Sequence, residues 1–367
     1  MRTASFALLA HGLHTRAPRL NQLVIAIVAL VAISVCNPAH AVELGLNGEV
    51  SSEWLKLPGV QYTHIIDVTT FAPNNLVSKD QDHDGHMNGS RLDLSWGTRT
   101  TFFSGLPFTA GIKGYYALHD GDQTASCTSL AFTSLCAHDP LFDPNPITGN
   151  TIAYSPGTNV VTMTDISTTT WGVALEGQTT SMKSSVSTLN VKAGSGYRRI
   201  DTALSLDGRG VSGLDVGFPY TLRENIGTGY LGGYVGAVAK LPLGDDFALS
   251  LDSEVGLYWA HTDYSGRYIQ TGNAPFPGDD DQSLSLTRDT TTVIAALKVG
   301  LDKNFGAFKM GIFARGEYYS YAPEIQYNDI DRCCGFVFGG RSDGTSVDAG
   351  DAWTASIGGR VTIPIGQ

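Results

Sequence analysis

The chain has 367 residues, 42% of them hydrophobic and only 16% charged, and its formal net charge is -11. This negative balance excludes nucleic acid as a default partner, because phosphate binding requires clustered lysine and arginine side chains. Beyond the N-terminal region, no stretch is apolar over the roughly 20 residues that a membrane-spanning helix needs, so any membrane span must be built from strands.

Residues 1–41 have the pattern of a cleaved export signal. Three arginines precede an apolar run at 23–35 that is broken only by Ser34, and Ala39-His40-Ala41 supplies the small residues that a signal peptidase reads. The apolar run is too short to span a membrane comfortably. Removing the signal takes three arginines from the net charge of -11 and leaves -14 on the mature chain.

The mature chain consists of strand-length blocks in which apolar and polar residues alternate. Successive side chains of a strand point to opposite faces, so each block has one apolar face and one polar or small face. In chain order the blocks lie near 60–70, 91–103, 107–119, 168–178, 186–200, 230–241, 247–261, 293–302, 308–317 and 353–365. Residues 42–57 form either a further strand or a periplasmic segment.

The block 247–261 shows the alternation most clearly. One face carries Phe247, Leu257 and Trp259, whereas Asp252 and Glu254 lie on the other. A long strand that is apolar on one face and charged on the other is typical of a transmembrane β-barrel.

The connections between the blocks are of two kinds. Short turns at 104–107, 243–246 and 304–306 contain glycine and polar residues, whereas the long polar segments are 72–90, 120–165, 205–228, 262–288 and 322–350. This asymmetry predicts short periplasmic turns and long extracellular loops. Counting from the block near Val60 gives ten strands, with twelve as the alternative.

These features resemble those of bacterial outer-membrane β-barrel proteins, the broad porin-like class. The resemblance implies an all-β, antiparallel, up-and-down barrel over residues 58–367, located in the outer membrane of a Gram-negative bacterium. The implied partners are outer-membrane lipid, lipopolysaccharide and the barrel-assembly machinery. Such barrels usually end on an aromatic residue, whereas this chain ends on Gln367.

The polar faces carry charges of both signs that are predicted to face the barrel lumen. Such charges either line a narrow channel for ions or small solutes or pair across the barrel and close it. The second case corresponds to a structural or surface-interaction (adhesin-like) protein. The predicted lumen-facing residues are Arg91, Asp93, Arg99, Lys113, Glu176, Lys192, Arg198, Lys240, Asp252, Glu254, Lys298, Asp302, Lys309, Arg315, Glu317 and Arg360.

An acidic segment at 80–85 resembles the first half of an EF-hand calcium loop. Asp80, Asp82 and Asp84 alternate before Gly85, and Asn88 could donate a further oxygen. Position twelve of the loop is an arginine where a carboxylate is needed, so a solvated acidic loop is the alternative. No cofactor other than calcium is predicted.

Enzymatic alternatives rest on few residues. Asp80 and Asp82 are similar to the paired aspartates of the omptin proteases, and His261-Thr262-Asp263 gives that family's Asp-x-His couple in reversed order. A lipid-modifying barrel would need a histidine near the rim, and the available ones are His64, His119, His138 and His261. The chain is predicted not to be an enzyme, with these as minor alternatives.

Four cysteines remain after removal of the signal, and export predicts that they are oxidised. Cys127 and Cys136 flank a short polar segment and are predicted to pair with each other. Cys333 and Cys334 are adjacent, so they form either a vicinal disulfide or separate bridges.

Overall fold

The computed structural model describes residues 44–59, 63–67, 84–101, 107–128, 134–138, 152–153, 159–183, 187–211, 220–244, 246–270, 280–326 and 345–365. None of these residues belongs to a helix long and apolar enough to cross a membrane. The strands are β1 (Leu44–Lys56), β2 (Thr63–Asp67), β3 (His86–Thr101), β4 (Pro107–Thr128), β5 (Ser134–His138), β6 (Ile152–Ala153), β7 (Asn159–Lys183), β8 (Thr188–Val211), β9 (Tyr220–Gly244), β10 (Phe247–Gln270), β11 (Asp280–Asn304), β12 (Lys309–Gln326) and β13 (Ser346–Ile365).

Ten of these strands form one closed antiparallel barrel, in the order β1-β13-β12-β11-β10-β9-β8-β7-β4-β3. The ring closes because β1 pairs with β13 on one side and with β3 on the other. The predicted all-β barrel of ten strands is therefore confirmed.

The barrel starts before residue 58, because β1 (Leu44–Lys56) is itself a barrel strand, the first of the two alternatives given for residues 42–57. Its alternation places Val50 and Trp54 on the outer surface and Glu49 and Glu53 inside. The described residues of the block near Val60 are not in the barrel. Its described part, β2, pairs with β5, and β5 pairs with β6 in a separate three-stranded sheet.

An apolar belt surrounds the lower part of the barrel, the end where the short turns lie. Many large apolar side chains of this belt are exposed, among them Val50 (63%), Leu257 (62%) and Ile312 (65%). Soluble monomers rarely expose so large a contiguous apolar surface. Along β10 the belt runs from Phe247 to Trp259, roughly 30 Å at about 3.3 Å per residue and a tilt of about 40°. This height matches the hydrocarbon core of a bilayer.

Aromatic residues mark both edges of the belt, as in membrane barrels. At the lower edge Phe305 stacks on Phe308 with ring centroids 5.2 Å apart, and the Lys303 ammonium lies 5.1 Å from the Phe247 ring centroid. The upper edge carries the partly exposed rings of Trp54, Tyr116, Trp259, Tyr318 and Trp353.

The strands continue beyond the belt, and their polarity is inverted there. On β10, Asp263 and Arg267 point outward and are exposed, whereas Tyr264 and Tyr268 are buried inside. An apolar interior with a polar exterior is the pattern of a barrel standing in water. The predicted long loops 205–228 and 262–288 are therefore largely strand, which is a correction of the sequence-based boundaries.

The lower turns are tight and depend on residues that tolerate a positive φ. Gly244 and Asp246 have φ values of 82° and 69°, and Gly306 has a φ of 83°. The Gly306 amide donates to the Asn304 side-chain oxygen at 3.1 Å. Glycine and aspartate populate this left-handed region more readily than most residues, which explains their presence here.

The barrel interior as the candidate functional site

A cavity of about 800 Å3 occupies the lower part of the barrel, and all ten barrel strands contribute to its wall. Its lining includes Gly244, Asp246 and Asn304 at the turn end of the barrel. Following the sidedness of outer-membrane barrels, this is the periplasmic end.

The structure places most of the predicted lumen-facing charges in the wall of this cavity. They are Arg91, Asp93, Lys113, Glu176, Lys192, Arg198, Lys240, Asp252, Glu254, Lys298, Asp302, Lys309, Arg315, Glu317 and Arg360. Arg99 belongs to β3, and its side chain lies outside the described residues.

The centre of the charged group is Glu317 on β12, which joins two arginines from distant strands. Its carboxylate lies 3.2 Å from an Arg91 nitrogen and 3.3 Å from an Arg198 nitrogen. Arg198 also donates to Glu254 at 2.6 Å, and Arg91 lies 3.2 Å from Glu53. The Glu317–Arg198 pair crosses the lumen, because β11, β10 and β9 separate their strands in the ring, whereas Arg91 and Glu53 lie on the adjacent strands β3 and β1.

A second branch runs from Arg315 towards β1. Arg315 donates to Asp93 at 2.9 Å and to Glu49 at 2.7 Å, and Lys298 also pairs with Glu49. Glu49 and Glu53 were not among the predicted lumen-facing residues, because residues 42–57 were left as either a further strand or a periplasmic segment. The alternation of Val50 and Trp54 with these two acids was the signal that would have found them.

A third branch surrounds the Tyr234 ring. The Lys113 ammonium lies 3.0 Å from both Glu176 and Glu254 and 4.5 Å from the Tyr234 ring centroid. The Tyr234 hydroxyl donates to Glu176 at 2.8 Å. Lys192 completes the group by lying 3.0 Å from Glu254. Each described charge in this branch is thus compensated within the barrel wall.

Above the charged network, the lumen is filled by aromatic and aliphatic side chains. The largest of the fully buried ones are Tyr230, Tyr258, Tyr268, Leu55, Met87, Leu206, Leu222 and Ile294. The polar ends of the tyrosines have partners: Tyr230 donates to the Tyr321 carbonyl at 3.2 Å, and Tyr319 donates to Glu317 at 3.1 Å. We call this apolar layer the tyrosine layer.

Small residues make room for these rings. A Cβ added at Gly194 would lie 2.5 Å from the Tyr234 ring, and one added at Gly256 would lie 2.6 Å from the Tyr258 ring. Real Cβ atoms do not approach other heavy atoms so closely. The glycines on the inner face therefore serve packing, since an atom within about 3 Å would force the rings or the strands to shift.

The histidines considered as catalysts are separated in the structure. His119 is buried inside, with its Nε2 3.0 Å from Glu53. His261 lies on the outer surface above Trp259, and Asp263 is also at an outward position of β10. The backbones of His64 and His138 lie in the small sheet, and their side chains are outside the described residues. The couple similar to that of the omptins therefore does not face the lumen.

His261 sits between two carboxylates. Its Nδ1 lies 2.7 Å from Asp289 and its Nε2 lies 3.3 Å from Asp263. The hydrogen bond to Asp289 is the main cause that raises the pKa of His261, and the charge of Asp263 adds to it. Both carboxylates stabilise the protonated ring.

We expect Asp289→Asn to lower the pKa of His261, as measured by NMR titration of the imidazole signals. Because the pKa is raised in the folded state, the associated stabilisation is present below the ordinary pKa of about 6.5 and is lost as the pH rises through the raised value. Asp207→Asn, a control on the distant outer face of β8, should leave the titration unchanged. An unchanged His261 pKa in Asp289→Asn would show that the hydrogen bond to Asp289 is not the main cause of the raised pKa.

Only part of the predicted calcium loop lies within the described residues. Asp80 and Asp82 lie outside the described residues, and the Asp84 carboxylate accepts a hydrogen bond from the His86 amide at 3.0 Å. Asn88 lies in β3 opposite Asp120 of β4. Calcium binding stays a prediction.

The predicted disulfides also stay untested. Cys127 lies in β4 opposite Val160, and Cys136 lies in β5 opposite Ile65, but the side chains of both are outside the described residues. Cys333 and Cys334 fall outside the described residues altogether.

No family model and no curated protein matches the sequence. Among solved structures, the outer membrane protease OmpT from Escherichia coli is 8% identical with a TM-score of 0.43, covering 88% of this chain and 97% of that chain. The toluene transporter TodX of Pseudomonas putida is 8% identical with a TM-score of 0.32, covering 92% and 93%. A FadL homologue of Pseudomonas aeruginosa is 9% identical with a TM-score of 0.31, covering 88% and 90%. Similarities this low carry no argument about activity.

The closed sheet, the apolar belt with its aromatic edges and the charged interior identify a bacterial outer-membrane β-barrel. The belt faces lipid, and the inverted polarity of the upper strands suits the aqueous exterior. The location is thus the outer membrane of a Gram-negative bacterium.

Proposed function

We propose that this protein is a closed, non-conducting outer-membrane barrel that anchors its extracellular extension and loops at the cell surface. The observation that carries the proposal is the tyrosine layer, which fills the lumen above the cavity. Tyr230 is 0%, Tyr258 is 2% and Tyr319 is 3% exposed. Side chains with so little accessible area leave no space beside them for a hydrated ion.

The charged network below the layer supports the same reading. An open, water-filled pore keeps its charged side chains hydrated, whereas Arg91 and Glu53 here have side-chain exposures of 4% and 0%. Burying charges is tolerated only when they are paired with good geometry. The pairs of Glu317 with Arg91 and Arg198 meet this condition while crossing the barrel.

The upper part of the barrel suits presentation at the surface. The strands rise beyond the belt by about eleven residues on β10, and their interior is packed with Leu204, Leu206, Leu222 and Tyr264. A packed interior makes this extension rigid. Rigid scaffolds that hold loops away from a membrane are well suited to contacts with external partners.

Planar-bilayer recording of the purified mature protein tests the closure. We expect no stepwise conductance in repeated insertions, with insertion verified by flotation of the same preparation in lipid vesicles. Regular conductance steps that scale with salt would contradict the proposal and would favour a narrow channel instead. The charged cavity would then be its periplasmic vestibule.

A further inference from the structure

The lower rim of the cavity carries basic side chains from three strands. Lys240 on β9, Lys309 on β12 and Arg360 on β13 all line the wall near the turn end. The charged neighbours of Lys240 are Lys309, Arg360, Asp302 and Asp252. Two of these four neighbours are positive. Whether the rim lysines are neutralised therefore depends on whether the two aspartates already pair with other basic groups.

Both aspartates are engaged by other basic groups. Asp302 accepts two hydrogen bonds of 2.6 Å from Arg360, and Asp252 lies 2.5 Å from the Lys192 ammonium. Within the part of the chain that the structure describes, neither Lys240 nor Lys309 has a carboxylate at ion-pair distance. The rim therefore holds two uncompensated positive charges facing the same cavity.

From this arrangement we propose that the rim is a binding site for a small multivalent anion bearing phosphate or carboxylate groups. Lys240 and Lys309 would be its charged ligands, and neighbouring wall residues such as Thr362 and Asn47 supply further polar groups. Charge-assisted hydrogen bonds are the strongest that a side chain makes. An anion with two charges would remove the repulsion between the lysines as well as gain these bonds.

Access and size are consistent with such a ligand. Lys240 and Lys309 are both exposed, and the cavity volume of about 800 Å3 accommodates a molecule of the size of pyrophosphate or citrate with its hydration water. The site lies below the tyrosine layer, so it does not depend on whether the barrel is closed above.

Isothermal titration calorimetry of the folded barrel in a zwitterionic detergent tests this proposal, with inorganic pyrophosphate and citrate as probes. We expect saturable binding of at least one probe with one site per chain. Lys240→Gln and Lys309→Gln should each weaken it about tenfold, and the double variant about a hundredfold, since each removes one charge-assisted hydrogen bond. The preferred probe distinguishes a phosphate ligand from a carboxylate ligand.

Lys303→Gln is the matched control, because Lys303 lies at the same end of the barrel but on the outer face beside Phe247. It should bind the probes like the wild type. The double variant should also unfold at no lower denaturant concentration than the wild type, because it removes two like charges. Absence of saturable binding to the wild type, equal affinity of the double variant, or equal weakening by Lys303→Gln would each overturn the proposal.

Discussion

Replacing Glu317 by glutamine is expected to lower the free energy of unfolding by about 3–5 kcal/mol, the cost of breaking a buried ion pair by removing one partner. Glu317 is 6% exposed and its carboxylate is shared by Arg91 and Arg198. Without that charge, two buried guanidinium groups lose a common counter-ion. Guanidinium unfolding of the protein in lipid vesicles, followed by tryptophan fluorescence, measures the effect.

Glu324→Gln is the matched control on the same strand. Glu324 is partly exposed above the membrane, and burial together with Asp348 and Asp351 raises its pKa. A raised carboxyl pKa means that the charged form is disfavoured in the folded state, so at neutral pH this variant should be as stable as the wild type or slightly more stable. Equal losses in the two variants would refute the central role of Glu317.

Truncation of Tyr258 to alanine is expected to cost about 3–5 kcal/mol, because it leaves a void in a filled lumen. The side chain is 2% exposed, and its ring lies 5.6 Å from the Arg198 guanidinium. The same unfolding experiment measures this loss. Packing around the ring is so tight that a Cβ at Gly256 would clash with it, so collapse around the void is restricted.

Two further variants separate the contributions of Tyr258. Tyr258→Phe keeps the ring but removes the hydroxyl, whose oxygen accepts a hydrogen bond from Arg198. It should cost about 1 kcal/mol, the typical value of one hydrogen bond. Ser265→Ala, an exposed outward position on the same strand, should change stability by less than about 0.5 kcal/mol. If Tyr258→Ala were no more destabilising than Tyr258→Phe, the ring would not fill the lumen tightly.

The alternation of side chains predicted the barrel and its count of ten, and it placed most of the inward charges of nine strands; the tenth block, near Val60, was counted in place of β1. Leu257 and Asp252, for example, are assigned to opposite faces by the period of two alone. The alternation also misled where its phase inverts above the membrane. Arg267 and Tyr268 still belong to β10, but here the polar side chain faces outward and the apolar one faces inward. Because an apolar outer face was the criterion for a strand, this segment was predicted to be a loop.

The pairing across the lumen was not predictable from the sequence. The tilt of the strands and the stagger of their register decide which inner side chains meet, and neither is encoded locally. Arg198 thus contacts Glu317, which is 119 positions away. The choice between an open and a closed barrel depended on these contacts and on the tyrosine layer, so it required coordinates.

Neutralisation of the lumen depends on the meeting of the two ends of the chain. Glu49 on the first strand binds Arg315 on β12, 266 positions later, and Lys298 on β11. During assembly the late strands would carry these cations without their counter-ions until β1 joins β13. Completion of the ring and neutralisation of its interior are therefore coupled, which favours a cooperative and slow final step of insertion, as expected for pairing at high contact order. Because β1 supplies both the seam and Glu49, a chain that lacks it would leave a sheet edge unpaired and Lys298 without its carboxylate partner.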